Sequence, residues 1–317
     1  MFCVNMKSLW RSTKRIIKYL LFPKKYYKGI KLCSRVTEFI GYFIADRLQI
    51  NVKKGKVAVF SASSYREDFY IERAPIKVFL TRENTHVQGS AWQRWEYCYS
   101  KKKAPTLSLG FDYIEQPNHL RFPFWLERVF GPMASKQDIA DFVKVHNVVD
   151  TTTRPKSCAF ICKYDYFGDR AVMADMIAQI MPVNYPSDFR HNDDDMRGKF
   201  GDDKIAYLRQ FKFNLCPENS NNKGYVTEKI FEAIQADCIP IYWGNEGYPE
   251  PDILNPKAIV YLDKDNPEQG LALLRQLYAD PKAYEEFVSQ PRFLPGAEEK
   301  IYAFYERLEK RLKEILN

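Results

Sequence analysis

Phe213-Asn214-Leu215-Cys216-Pro217-Glu218-Asn219-Ser220-Asn221-Asn222-Lys223-Gly224-Tyr225-Val226-Thr227-Glu228-Lys229-Ile230-Phe231-Glu232-Ala233-Ile234-Gln235-Ala236 joins a strand-like run, a polar loop and a helix-forming run. Ile230, Ala233 and Ile234 share one helical face, and Thr227 is expected as the N-cap. A helix start exposes unpaired N–H groups and a partial positive charge, so it favours an anion. Lys229 opposes that dipole in the first turn. A bound diphosphate would satisfy both the Lys and the helix end. An exposed Lys pairing with Glu228 or Glu232 is the plainer alternative.

Around this segment, apolar strand-like runs alternate with helical ones. Cys158–Lys163, Phe211–Cys216, Cys238–Trp243 and Ile259–Leu262 read as strands. Arg170–Met181, Thr227–Asp237, 267–279 and 298–315 read as helices. The alternation predicts an α/β domain with a parallel sheet. Upstream, Val57–Phe60, Ile76–Leu80 and Leu107–Ile114 are further strand candidates. The polar, Thr-rich stretch 147–156 marks a boundary. Residues 7–50 read as helical, with Ile16, Ile17, Leu20 and Leu21 on one face and Phe39, Ile40, Phe43 and Ile44 on another.

The chain has 317 residues, 45% hydrophobic and 28% charged, which excludes a disordered chain and a small disulfide scaffold. Its net charge of +8 is concentrated: ten basic side chains and no acid lie between Lys7 and Arg35. That run would suit an anionic membrane surface. Nothing else resembles a nucleic-acid module, so no nucleic-acid partner is expected. No apolar stretch near the N-terminus reaches the ~20 residues of a bilayer span. The seven scattered Cys suggest free thiols in a reducing compartment. A cytoplasmic location, peripheral on the inner membrane face, is the expected setting.

Three runs then carry a resemblance: Glu218-Asn219-Ser220, Gly224-Tyr225-Val226-Thr227-Glu228-Lys229-Ile230 and Cys238-Ile239-Pro240-Ile241-Tyr242-Trp243-Gly244. Their order and spacing resemble the donor-binding signature of the α-1,3/4-fucosyltransferases, glycosyltransferase family 10, in a bacterial-like form. The resemblance implies a GT-B fold, with two Rossmann-like domains facing a central cleft and extra N- and C-terminal helices. It implies an acceptor domain at 53–150 and a GDP-fucose-binding domain at 151–295; the residues it does not cover are expected to form a basic amphipathic helical segment at 1–52 and an amphipathic helix at 296–317. The implied reaction is inverting, metal-independent transfer of L-fucose from GDP-β-L-fucose to a glycan hydroxyl, in an α-1,3 linkage, with no cofactor.

Carried over residue by residue, Lys229 and Arg170 would neutralise the pyrophosphate. Tyr225 and Asn219 would bond the phosphates or the fucose, and Glu228 the ribose or the sugar. Glu83, in Phe79-Leu80-Thr81-Arg82-Glu83-Asn84, matches the family's strand ending in Glu-Asn and would be the general base. The partners implied are GDP-fucose and an oligosaccharide or lipid-linked glycan. Pro217 and Asn221-Asn222-Lys223 depart from the family pattern, which puts the path of the donor loop in doubt.

Rival readings remain. Asp193-Asp194-Asp195 and Asp263-Lys264-Asp265 fit DxD and would suit a metal-dependent glycosyltransferase using another nucleotide sugar. The first is read as a solvated charge run. A degenerate member that binds nucleotide or glycan without turnover is the non-enzyme rival. His86 lies near Glu83, and Trp92, Trp95, Tyr97 and Tyr99 would stack on acceptor sugars or fill a core.

Overall fold

The computed structural model describes residues 13–14, 16–17, 19–21, 25–33, 38–114, 116–148 and 154–317. Most of the basic run between Lys7 and Arg35, with its expected membrane contact, lies outside them. Chain contacts divide the protein into two units, Ser135–Ala303 and the remainder, to which Phe304–Asn317 returns.

The first unit holds a sheet ordered β1 (Lys25–Tyr27), β2 (Ile30–Leu32), β3 (Val57–Ser61), β4 (Ile76–Leu80), β5 (Leu107–Gly110) and β6 (His119–Arg121). β1 is antiparallel to β2, and every other pair is parallel. Strands β3 and β5 are buried along their whole length, as central parallel strands must be. Residues 25–32 correct the helical expectation, because they form a hairpin. Lys28 (φ 41°) and Gly29 (φ 86°) supply the two positive φ angles that a tight right-twisting hairpin turn requires. A Cβ at Gly29 would meet the Val52 carbonyl oxygen at 1.9 Å. The other expected helix does form: Glu38–Tyr42 continues as a wider turn through Arg47, burying Phe39, Ile40, Phe43 and Ile44.

The second unit holds β7 (Lys156–Ala159), β8 (Val183–Asn184), β9 (Phe211–Leu215), β10 (Ile239–Tyr242) and β11 (Val260–Tyr261), all parallel. Their order is β11-β10-β9-β7-β8. Cys158, Phe213, Ile239, Ile241 and Val260 form the sheet's share of a core covered by Met173, Ile177, Leu274 and Leu277. The chain steps from β7 outward to β8, then crosses back to β9 on the other side. The sheet therefore has a topological switch point between β7 and β9, where α/β folds bind ligands beyond the strands' carboxyl ends.

The division falls at Ala134/Ser135, ahead of the expected 147–156 stretch. The cause is the helix Lys136–His146, which the sequence reading missed and which opens on a Ser135–Asp138 capping box. It packs within the second unit: Phe142 lies 5.9 Å from the Phe293 ring, and the Phe293 N–H donates to Asn147 Oδ1 at 2.8 Å. The last helix, Ala297–Leu316, lies partly in each unit. In the first unit its Tyr305 hydroxyl donates to the carbonyls of Leu126 (3.1 Å) and Gly131 (2.9 Å).

Candidate active site

Glu218 follows β9 and is fully buried. A lone carboxylate there would be very costly, so all its bonds matter. Oε1 accepts the Thr227 N–H at 2.7 Å, and Oε2 accepts the Thr227 hydroxyl at 2.7 Å. Lys229 Nζ lies 3.1 Å from Oε2 and donates to Thr227 Oγ1 at 2.8 Å. Burial disfavours the charge on Lys229, but the carboxylates of Glu218 and then Glu228 outweigh it and raise the ammonium's pKa. Lys229 is therefore a fixed cation at neutral pH.

This arrangement corrects two expectations. Thr227 is not the N-cap: its hydroxyl and N–H are both spent on Glu218, and the helix begins at Lys229 with Glu228 as cap. Nor does Lys229 pair on the surface with Glu232, which instead accepts from Lys204 at 3.2 Å. Glu218 itself was quoted in the motif without a role. The available signal was a carboxylate just before a loop that returns to Thr and Lys at its end.

Backbone constraints shape the same pocket. Gly244 sits at φ 143°, and a Cβ there would lie 2.7 Å from Glu218 Cγ and 2.9 Å from Tyr242 Oη. Only glycine lets β10's exit pass the buried carboxylate. The loop is pinned by Gly224 N–H to Asn245 Oδ1 (2.5 Å) and Glu246 N–H to Asn221 Oδ1 (2.6 Å).

Arg170 stands in the first turn of the helix after β7, Asp169–Ala178. Asp165 stiffens the approach by accepting N–H bonds from Gly168 (3.0 Å) and Ala171 (2.8 Å). Arg170 donates to the Tyr164 carbonyl at 2.7 Å and to the Asn219 side chain. Arg170 and Asn219 thus meet across the switch point. Arg170 also opposes the charge on Lys229, so the two cations feel one another. Tyr225 is buried, with its N–H on the Asn222 carbonyl at 3.0 Å. Arg170 Nε, Glu228 Oε2 and Trp243 Nε1 are enclosed without a hydrogen bond among the described residues. They follow β7, β9 and β10, three adjacent strands.

Glu83 belongs to the first unit and lies half-buried just past β4. Thr81 holds its backbone: Oγ1 donates to the Glu83 carbonyl at 2.8 Å and accepts its N–H at 3.1 Å. Neighbouring Arg82 pairs with Glu127, and Asn84 Oδ1 accepts the His86 N–H at 2.9 Å.

The Asp193 loop is not the solvated run expected. Asp193 is 8% exposed and accepts from Asn184 (2.7 Å), Tyr207 (2.9 Å), Lys156 (3.1 Å) and the Asp195 N–H (2.8 Å). Burial opposes its charge, yet these donors take its pKa down to about 2. Of the three aspartates, Asp194 is the one that is exposed. Among the described residues, Cys33, Cys98, Cys158, Cys162, Cys216 and Cys238 are free thiols. No helix among them is long and apolar enough to cross a membrane.

Comparison with known proteins converges on one family. Residues 153–294 match the family described as glycosyltransferase family 10 (fucosyltransferase) C-term. The α-(1,3)-fucosyltransferase FucT of Helicobacter pylori is 27% identical over 204 residues, covering 56% of this chain and 41% of that protein. A putative fucosyltransferase-like protein of Arabidopsis thaliana is 29% identical over 149 residues, covering 46% and 28%. The chain therefore spans less than half the length of these curated relatives. A crystal structure of an α1,3-fucosyltransferase with GDP-fucose superposes with a TM-score of 0.58, at 19% identity, over 93% of this chain and 95% of that one. The fold is accordingly GT-B, built from two Rossmann-like domains. The unit that carries Glu218, Thr227 and Lys229 contains the stretch, residues 153–294, that is similar to the C-terminal domain of glycosyltransferase family 10.

Proposed function

We propose that the chain transfers L-fucose from GDP-β-L-fucose to a hydroxyl of a glycan acceptor, with inversion, in an α-1,3 linkage and without a metal. The observation that carries this reading is the cation pair at the switch point, Lys229 set by Glu218 and Thr227, and Arg170 set by Tyr164 and Asn219.

When the bond between fucose C1 and the β-phosphate oxygen breaks, negative charge collects on GDP. Pre-fixed cations stabilise that charge without reorganising, and Arg suits a bidentate phosphate contact. Asn219 and Tyr225 bond the phosphates or the fucose. Glu228 Oε2, enclosed and unbonded among the described residues, accepts from a ribose or sugar hydroxyl. The acceptor oxygen attacks C1 from the face opposite GDP and passes its proton to Glu83. Placement on the inner membrane face through the basic run belongs to the same proposal.

A metal site on the Asp193 loop is disfavoured, because the Asp193 oxygens already hold four donors in an ion-paired cluster. Calorimetric titration with GDP, UDP and CMP in EDTA tests the reading. Selective GDP binding is expected. UDP preference, or binding only when Mn²⁺ is restored, would overturn the donor assignment. Intact GDP binding with no transfer from GDP-fucose would favour the degenerate, non-enzymatic rival.

A further inference from the structure

The four aromatics at 92–99 separate sharply in the structure. Trp95 is core: it stacks on Phe79 at 4.5 Å, and its indole N–H donates to the Ser64 carbonyl at 3.0 Å. Trp92 packs against the same cluster. Tyr99 is buried, with its hydroxyl on Asp112 Oδ2 at 3.2 Å. Tyr97 is 44% exposed.

Tyr97 is also held in an unusual way. Its backbone is left-handed, φ 44° and ψ 41°, a conformation that is costly for a non-glycine residue and persists where the surroundings impose it. Its ring packs on His86, centroids 4.4 Å apart. His86 Nε2 pairs with Asp112 Oδ1 at 2.6 Å, and Glu96 Oε1 lies 3.4 Å from Nδ1 at ion-pair distance without a hydrogen bond. Burial works against protonation, but these carboxylates raise the imidazole's pKa. The prop is tied in turn to the loop of Glu83 through Asn84.

We propose that Tyr97, propped by His86, Asp112 and Glu96, is a stacking platform for a pyranose ring of the acceptor. The inference rests on the transferase reading above. A ring whose rotamer and backbone are already fixed loses little entropy on binding. Its flat apolar face suits the C–H face of a sugar, and Glu96, with a 30% exposed side chain, accepts from the hydroxyl rim.

The test uses the full chain with GDP-fucose and a panel of saccharides ending in galactose, N-acetylglucosamine or glucose. Tyr97→Ala should raise the acceptor KM about tenfold or more, the equivalent of about 1.4 kcal/mol. It should leave the GDP-fucose KM in place, and Tyr97→Phe and Tyr97→Trp should restore most of the loss. An unchanged acceptor KM in Tyr97→Ala overturns the platform while leaving the transferase reading intact. So does a rise in donor KM matching the rise in acceptor KM. Transfer by the wild type to no member of the panel overturns the transferase reading, and the platform with it. A Tyr97→Ala chain that has lost vesicle binding but not acceptor affinity would assign the ring to a membrane instead.

Discussion

Lys229 and His86 are both basic side chains held by carboxylates, one in each unit, and they are built for opposite ends. Lys229 is ion-paired with a wholly buried carboxylate, Glu218, with Glu228 adding to its field, while its own side chain stays 21% exposed. His86 leans on two partly exposed carboxylates and is itself only 10% exposed, beneath Tyr97. The first arrangement presents its charge; the second uses it to hold a ring. On the proposed reading, Lys229 faces the donor while His86 is structural, and the two differ in how deeply the partner carboxylate is buried. A buried pair contributes little net stability, but removing one member leaves the other stranded at a cost of about 3–5 kcal/mol.

Breaking the ligand-facing cation should have the largest effect. Lys229→Ala should abolish transfer and lower GDP affinity by about two orders of magnitude, a charged contact being worth roughly 1.5–3 kcal/mol. Calorimetry and a radiolabelled-fucose assay would check both. If GDP affinity survived, Lys229 would be a structural cation like His86.

Glu83→Gln comes next. It should cut turnover about 10²–10⁴-fold, the usual contribution of a general base, with GDP affinity unchanged. Steady-state kinetics beside a GDP titration reads the two separately. A fully active variant would remove Glu83 from the chemistry.

The subtlest change sharpens the comparison. Glu218→Gln keeps the shape and one acceptor for Thr227, but turns the other oxygen into an amide donor and removes the charge that holds Lys229. It should weaken GDP binding about tenfold, roughly 1.4 kcal/mol. Because the pair raises the folded-state pKa of Lys229, its contribution to stability is complete below the ordinary value of 10.5 and fades as pH climbs through the higher folded one. Denaturation followed from pH 8 to 12 should therefore show an alkaline loss in the wild type that is smaller in Glu218→Gln. Identical curves would mean that Glu218 does not set the charge on Lys229.

Much of the second unit was legible beforehand. Phe211–Leu215, Lys229–Gln235 and Ile239–Tyr242 fall where local periodicity put them, because strand and helix patterns there agree with their burial. The first unit was harder to read. Residues 25–32 carry the charge of the surrounding helical pattern, and their hairpin depends on Gly29 fitting against the Val52 carbonyl, a distant partner. The helix Lys136–His146 was hidden by its polar composition, and its place in the second unit depends on Phe293.

The amino-acid sequence alone was enough for the α/β class, the signature from Glu218 to Gly244 and the residue types suited to a diphosphate, since each follows from local order and spacing. Tertiary structure decided which carboxylate serves Lys229, why Thr227 is drawn away from the helix cap, that Asp193 is buried, and that Tyr97 alone among its aromatic neighbours is strongly exposed. Those outcomes depend on burial and on partners brought together from separate strands. Desolvation sets the worth of a charge, and no local pattern along the chain records it.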